Sequence, residues 1–335
     1  MKVFQNYPLL DHNTFKMKVS CRQFIELERP EEIVNLCEQN LLEQPFFILG
    51  GGSNVLFTED FDGAIVHPVF QGIERMDEEA QSVTLRVAAG TEWETLIHYC
   101  LEHQYYGLEN LTGIPGLVGS APVQNIVAYG VEVKDCIRAV EGYHLSSGAP
   151  FRYDNADCRF GYRSSLFKTE LKGQCFITHV CFRLSKEPHY TLTYKALKDE
   201  LERQQLEPSL ENIVQTVRAV RDSKLPDITQ IGCAGSFFQN PIVPATLHES
   251  LKEQLPDLVA YPAGDMVKLA AGQLIDKAGW KGYREGDAGI YPKQALVVVN
   301  YGHARPEEIR QLYEKVISDV YNKFKVSLRP EVNII

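Results

Sequence analysis

The chain predicts a mixed α and β protein of two or three domains, outside the Rossmann class, and three observations carry that reading. It has 335 residues, and a typical domain takes about 150. Strand-like apolar runs alternate with helical periodicity, and a long amphipathic stretch closes the chain at 306–326. A glycine turn, Gly50-Gly51-Gly52-Ser53-Asn54, follows a strand as a dinucleotide-binding turn would. It lacks a third glycine at the right spacing, however, and Val55-Leu56-Phe57 continues extended, so no helix N-terminus awaits a pyrophosphate.

Composition narrows the function classes. Hydrophobic residues make up 44% and charged residues 23%, ordinary for a globular protein. The net charge of -10 with no basic stripe argues against nucleic acid as a partner. Eight cysteines occur without a CxxC pair, which reads as free thiols in a reducing compartment and not as a metal centre. The N-terminus MKVFQNYPLL has no apolar core of a signal, and no apolar run is long enough for a membrane span. These features predict a cytoplasmic protein with no membrane and no metal site.

The elements follow in order. Residues 22–27, 30–37 and 46–49 read as strand, helix and strand, the helix with acidic residues in its first turn. Residues 53–57, 64–68 and 83–88 read as extended. At 93–103, Leu96, Ile97, Cys100 and Leu101 fall at helical spacing. Residues 137–144 and 150–153 form a predicted hairpin around Ser146-Ser147-Gly148, and 176–184 is a further strand. Polar sequence near 205–210 suggests a boundary. Helices are then expected at 211–224 and 267–279, a strand at 295–300, and a final helix at 306–326. In that last helix Pro306 and Glu307-Glu308 suit the N-terminus, and Ile309, Leu312, Tyr313, Val316, Val320 and Phe324 make one apolar face. No internal repeat is evident.

Two segments combine features that ordinary turns do not need. Residues 107–130 are apolar yet dense in Gly and Pro, an irregular loop that is not simply solvated. Buried irregular backbone must find hydrogen-bond partners, and a large flat cofactor with many acceptors would supply them. Gly232-Cys-Ala-Gly-Ser-Phe-Phe-Gln-Asn-Pro241 sets one hydroxyl, Ser236, between small residues and two aromatics. A hydroxyl in such a niche suits proton donation. No Gly-x-Ser-x-Gly elbow surrounds it, so a hydrolase nucleophile is disfavoured.

The chain resembles the UDP-N-acetylenolpyruvoylglucosamine reductases, flavoproteins of peptidoglycan-precursor synthesis. The resemblance rests on five motifs in order: Ile48-Leu-Gly-Gly-Gly-Ser-Asn-Val-Leu56, the 107–130 loop, Cys158-Arg-Phe-Gly-Tyr-Arg163, the 232–241 segment and Arg329-Pro-Glu-Val332. Tyr190-Thr-Leu-Thr-Tyr194 further resembles the type I form, with its inserted tyrosine loop.

The resemblance implies an α+β fold of the vanillyl-alcohol-oxidase type. FAD-binding subdomains would span 1–70 and 71–207, the latter with the tyrosine loop near 188–195. A C-terminal α+β substrate-binding domain, 208–335, would return its last strand, with Glu331, to the active site. The same resemblance implies the reduction of UDP-N-acetylglucosamine enolpyruvate to UDP-N-acetylmuramate by NADPH through FAD, in a monomer. FAD would be non-covalent, since the glycine turn holds no histidine or cysteine.

Carried over residue by residue, the implied catalytic groups are Arg163 and Glu331, which polarise the double bond, and Ser236, which protonates the α-carbon. Flavin contacts would come from Gly50, Gly51, Gly52, Ser53 and Asn54, from Ile114, Pro115, Gly116, Gly119 and Ser120, and from Gln124, Asn125, Ala128 and Tyr129. Tyr162, Tyr194, Lys224, Asn240 and Gln294 would bind substrate, Lys224 at the diphosphate. Four positions depart from the family pattern: Val127 for glycine, Cys233 for asparagine, Gln239 for lysine, and Tyr291 where some members have histidine. Val127 implies a local shift of the loop, because a β-branched residue resists positive φ. A flavin-dependent sugar or alcohol oxidase of the same fold, and a non-catalytic UDP-sugar-binding protein, are the rival readings. Lys224, Tyr194 and the Ser236 segment weigh against the first, and the joint presence of Arg163, Ser236 and Glu331 against the second.

Overall fold

The structure, a computed structural model, describes every residue except 40, 41, 43 and 44. The chain divides into two compact units. The first comprises 1–7, 21–51 and 62–221; the second comprises 8–20, 52–61 and 222–335.

The first unit contains two sheets. One has the order Lys2–Pro8, Ser20–Leu27, Phe61–Pro68, Phe46–Ile48, with the last pair parallel. Its apolar positions pack with the Glu32–Glu38 helix through Ile33 and Leu36. The other is antiparallel, in the order Pro150–Asp154, Ile137–His144, Cys175–Ser185, Ser82–Ala88, Ile73–Glu78. The hairpin expected around Ser146-Ser147-Gly148 is present, with Gly148 at φ 65°, where glycine costs little. The Trp93–Glu102 helix packs on this sheet through Trp93, Leu96 and Ile97. Val83, Leu85, Val87, Val180 and Phe182, all fully or almost fully buried, complete that core. The helices Lys195–Arg203 and Leu210–Lys224 meet through Leu197, Leu201, Ile213 and Val217.

In the second unit, Gly232–Cys233, Val298–Asn300, Ala288–Ile290 and Arg284–Glu285 form an antiparallel sheet against which the Pro306–Phe324 helix packs. That helix begins as the sequence predicts: Pro306 leads it, and the Glu308 carboxylate accepts the Arg305 N–H at 2.7 Å. It stops at Lys325, which takes the left-handed conformation. A three-stranded sheet orders Ile242–Pro244, Met266–Leu269 and Ala260–Ala263. The short strands Val55–Leu56 and Asn333–Ile334 pair in parallel.

Two expected elements differ. The helix expected over 267–279 is a strand, Met266–Leu269, followed by a helix at Ala271–Lys277. Ala270 at ψ 97° separates them, and both edges of the strand are paired. Of the strand expected at 295–300, only Val298–Asn300 pairs, because Gln294 to Val297 closes a turn. The apolar runs were real in both cases, but their periodicity was too short to decide the element type.

Candidate active site

Two glycine turns of the first unit converge. Gly51 lies against Gly116 so closely that a Cβ on Gly51 would come 2.8 Å from the Gly116 Cα, and one on Gly50 would collide with Ser120 Oγ. Gly119 is equally confined, since its Cβ would meet Ala89 at 2.6 Å. Among the described residues, the backbone N–H groups of Gly50, Gly51 and Gly116 take no partner. Stacked glycine turns with unspent amides form a concave donor surface of the kind that holds phosphates. This is the fit expected for a dinucleotide cofactor.

The buried 107–130 loop is supported mainly by the chain itself. Trp93 Nε1 donates to Leu111 O at 2.9 Å, and the Trp93 backbone N–H donates to Gly116 O at 2.9 Å. The Glu94 carboxylate accepts the Gly113 N–H at 3.0 Å, and Val118 N–H and Gly119 N–H donate to Thr91 O and Ala89 O. The first turn of the Trp93–Glu102 helix and the residues just before it therefore meet much of the need that was expected to fall to a cofactor. Burial pushes the Glu109 carboxyl above its usual range, against the stabilising bond it accepts from the Gly107 N–H at 2.6 Å. Ile114 and Ala128 pack on the main core of this unit, while Pro115 is exposed and Gln124 half-buried.

Val127 does not strain the loop. It lies in the short strand Val127–Ala128, paired with Val131–Glu132, and the positive φ angles fall on Asn125, Tyr129 and Gly130. The shift expected at Val127 is therefore unnecessary, because the residue is extended.

Asn125 and Arg163 are brought together. Arg163 is the third residue of a tight turn closed by reciprocal Gly161–Ser164 backbone bonds of 3.0 and 3.2 Å. Its φ of 52° is uncommon for a residue with a side chain. Three side chains hold the turn. Asn125 Nδ2 donates to Gly161 O at 3.0 Å, Ser165 Oγ to Val123 O at 2.6 Å, and Lys168 Nζ to Arg163 O at 3.0 Å. Asn125 is fully buried, and its amide also bonds Glu132 and the Lys134 N–H. Its side chain is thus engaged within the protein at the Arg163 turn. Burial pushes the nearby Cys158 thiol up to about 12, so it stays protonated. Tyr162, beside Arg163, is 42% exposed.

Tyr129 and Tyr194 meet edge to face, with ring centroids 5.2 Å apart. Tyr194 immediately precedes the Lys195–Arg203 helix and remains 44% exposed.

In the second unit the 232–241 segment and the C-terminal strand form a main-chain ladder. Gln239 N–H donates to Arg329 O at 3.0 Å and Glu331 N–H to Phe237 O at 2.7 Å. Glu331 therefore lies across from Phe237, one residue from Ser236. Gly235, at φ 65°, has open space beside its Cα, leaving the Ser236 backbone approachable. Phe237 and Phe238 are buried behind it, Phe237 against Tyr313 and Phe15 at 5.0 and 6.1 Å. The strand continues past the site: Asn333 N–H donates to Asn54 O at 3.1 Å. Thr14 N–H donates to Gly52 O at 3.1 Å, and Ser53 and Asn54 follow that turn half-buried. Cys233 is buried in its strand, its thiol pushed up by desolvation.

Asn240 and Gln294 also converge. Asn240 Oδ1 accepts the Ala271 N–H at 3.0 Å, and Gln294 Oε1 lies 3.1 Å from where a Gly272 Cβ would sit. Lys224, half-buried, closes the Leu210–Lys224 helix.

Sequence reasoning missed several buried amides that organise these segments. Asn300 donates to Phe15 O at 3.0 Å and accepts from Gly302 and Ala304 N–H. Asn110 bridges two loops at once, through Tyr129 O and Thr191 O. A short polar residue in a loop reads as solvated, so no local signal marks them.

Comparison with known proteins identifies the family. Residues 24–148 match the family profile described as FAD binding domain, and 227–335 match that of the UDP-N-acetylenolpyruvoylglucosamine reductase C-terminal domain. A UDP-N-acetylenolpyruvoylglucosamine reductase of Bacteroides fragilis (strain YCH46) is 42% identical over 99% of both chains. One from Chromobacterium violaceum is 44% identical over 96% of both. The crystal structure of UDP-N-acetylenolpyruvylglucosamine reductase from Thermus caldophilus superposes with a TM-score of 0.68 over 99% of this chain and 98% of that one, at 24% identity. That last likeness speaks for the fold, which is the α+β, FAD-binding architecture expected from the motifs. The chain is an enzyme, an oxidoreductase, and belongs to the UDP-N-acetylenolpyruvoylglucosamine reductase family.

Proposed function

We propose that this enzyme reduces UDP-N-acetylglucosamine enolpyruvate to UDP-N-acetylmuramate with electrons from NADPH, as a cytoplasmic monomer holding FAD non-covalently. The observation that carries the reading is the ladder that sets Glu331 one residue from Ser236, on a chain alike to the reductases along its whole length. Within that reading, 1–70 and 71–207 serve the flavin and 208–335 the substrate.

When bound, FAD would supply the redox chemistry, taking up a hydride from NADPH and giving it on to the vinyl β-carbon. The glycine turns at Gly50, Gly51 and Gly116 would hold its phosphates by backbone amides, with Tyr129 beside it. Hydride addition puts negative charge on the substrate's carboxylate-conjugated carbon. Arg163 offers a planar donor fork to that carboxylate, and a preorganised cation lowers the barrier as charge develops. Its turn, held by Asn125, Ser165 and Lys168, limits the reorganisation this requires. Ser236 gives its hydroxyl proton to the α-carbon, and Glu331 completes the polarising group. Lys224 serves the diphosphate, with Tyr162, Tyr194, Asn240 and Gln294 completing the substrate contacts.

Ser236→Ala tests the assignment. Positioned proton donors contribute about 10²–10⁴-fold, so flavin reduction by NADPH should persist while reoxidation by the enolpyruvyl substrate falls by that order. Equal rates for both half-reactions in variant and wild type would remove Ser236 from the mechanism.

A further inference from the structure

The tyrosine loop near 188–194 contacts the 107–130 loop through Asn110, a residue that the proposed chemistry does not use. Asn110 is fully buried. Its Nδ2 donates to Tyr129 O at 2.8 Å and to Thr191 O at 2.9 Å. Two carbonyls on one end of the amide require that end to be the NH2 group. Its Oδ1 has no partner among the described residues. A second close approach lies beside it: Gly130, at φ 87°, would carry a Cβ 2.6 Å from Thr193 Oγ1. Tyr129 and Tyr194 complete the contact with their edge-to-face rings at 5.2 Å.

We infer that Asn110 is a positioning residue that latches the tyrosine loop to the flavin-side loop, so that the loop is ordered before substrate arrives. A buried amide with an orphaned acceptor is costly unless its other bonds are needed. Here both remaining bonds join two irregular segments distant in sequence, one of which bears Tyr190 and Tyr194. Preordering the loop lowers the entropy lost on substrate binding. The same geometry holds Tyr129 at its positive φ of 47°. The substrate assignment rests on the proposed function; the latch itself does not.

Asn110→Ala and Asn110→Ser are compared with wild type in two measurements. In steady-state kinetics, KM for UDP-N-acetylglucosamine enolpyruvate should rise about tenfold in the alanine variant, which loses both hydrogen bonds, each of modest net worth. Asn110→Ser, which keeps one donor, should fall between, with kcat and flavin content within about twofold of wild type in both. A purely structural defect would lower kcat and flavin content and leave KM alone, and that pattern overturns the inference. In limited proteolysis, tryptic cleavage after Lys195 should accelerate about tenfold in the same order. Unchanged cleavage also overturns it. If wild type itself fails to turn over this substrate, the reaction assignment fails and the proteolysis result alone decides the latch. An insoluble alanine variant leaves the serine variant to decide by the same two criteria.

Discussion

The Arg163 turn and the Ser236–Glu331 ladder hold the proposed catalytic groups by opposite means. Side chains hold Arg163: Asn125 and Lys168 bond carbonyls of a turn whose apex sits at φ 52°, and Ser165, just after the turn, bonds Val123 O. Backbone holds Ser236 and Glu331: Gln239 N–H to Arg329 O, Glu331 N–H to Phe237 O, and on to Asn333 and Ile335 against the 54–58 segment. Where backbone does the holding, replacing a working side chain isolates its chemistry. Where side chains do it, a change several positions away imitates loss of the working group.

The widest test of that contrast is Glu331→Gln. It keeps every ladder bond, so kcat should fall about 10²–10⁴-fold while the melting temperature moves by no more than about 2 °C. A large fall in melting temperature would mean that the carboxylate, and not the ladder, holds the strand. Arg163→Lys comes next, with an expected loss of about 10²-fold in kcat, because a point charge replaces a planar fork aimed at developing charge. Asn125→Ala and Ser165→Ala should each reproduce part of that loss, about tenfold, and should be far from additive with Arg163→Lys. A double-mutant cycle measures this, and full additivity would break the claim that they act through the Arg163 turn. Changes on the ladder side show the converse. Phe237→Ala, which empties a buried ring site behind Ser236, should cost about 3–5 kcal/mol of stability by denaturant titration.

The smallest effect concerns the thiols. Burial pushes Cys158 and Cys136 up to about 12. Both stay protonated, and so unreactive toward a thiol reagent, until pH approaches that value. Fast labelling of either residue near neutral pH would show that its surroundings open readily.

The two regions also differ in how far the sequence revealed them. Regular elements were legible wherever local pattern sufficed. The Pro306–Phe324 helix followed from its apolar face and first-turn proline, and the Ile137–His144 hairpin from its Ser-Ser-Gly turn. The strand at Met266–Leu269 was not, because Val267 and Leu269 suit either element and its two pairing partners lie elsewhere in the chain. The 107–130 loop was visible as an anomaly, but its supports, Trp93 and Glu94, sit on a helix whose apolar spacing alone gave no hint of that task. Ser236 stood out from its glycines and aromatics. Glu331 became a candidate only through the ordered motifs, since the ladder that sets it near Ser236 is a long-range pairing with no local signature. Asn110 and Asn125 had none either, because a buried amide and a solvated one are the same letter.

The central claim is that this chain passes electrons from NADPH to an enolpyruvyl UDP-sugar. It is tested most directly by reducing the purified, FAD-loaded protein anaerobically with NADPH and then adding UDP-N-acetylglucosamine enolpyruvate. The flavin's blue absorption band should bleach, then return on addition of the substrate with formation of UDP-N-acetylmuramate. A band that bleaches and stays bleached would contradict the account.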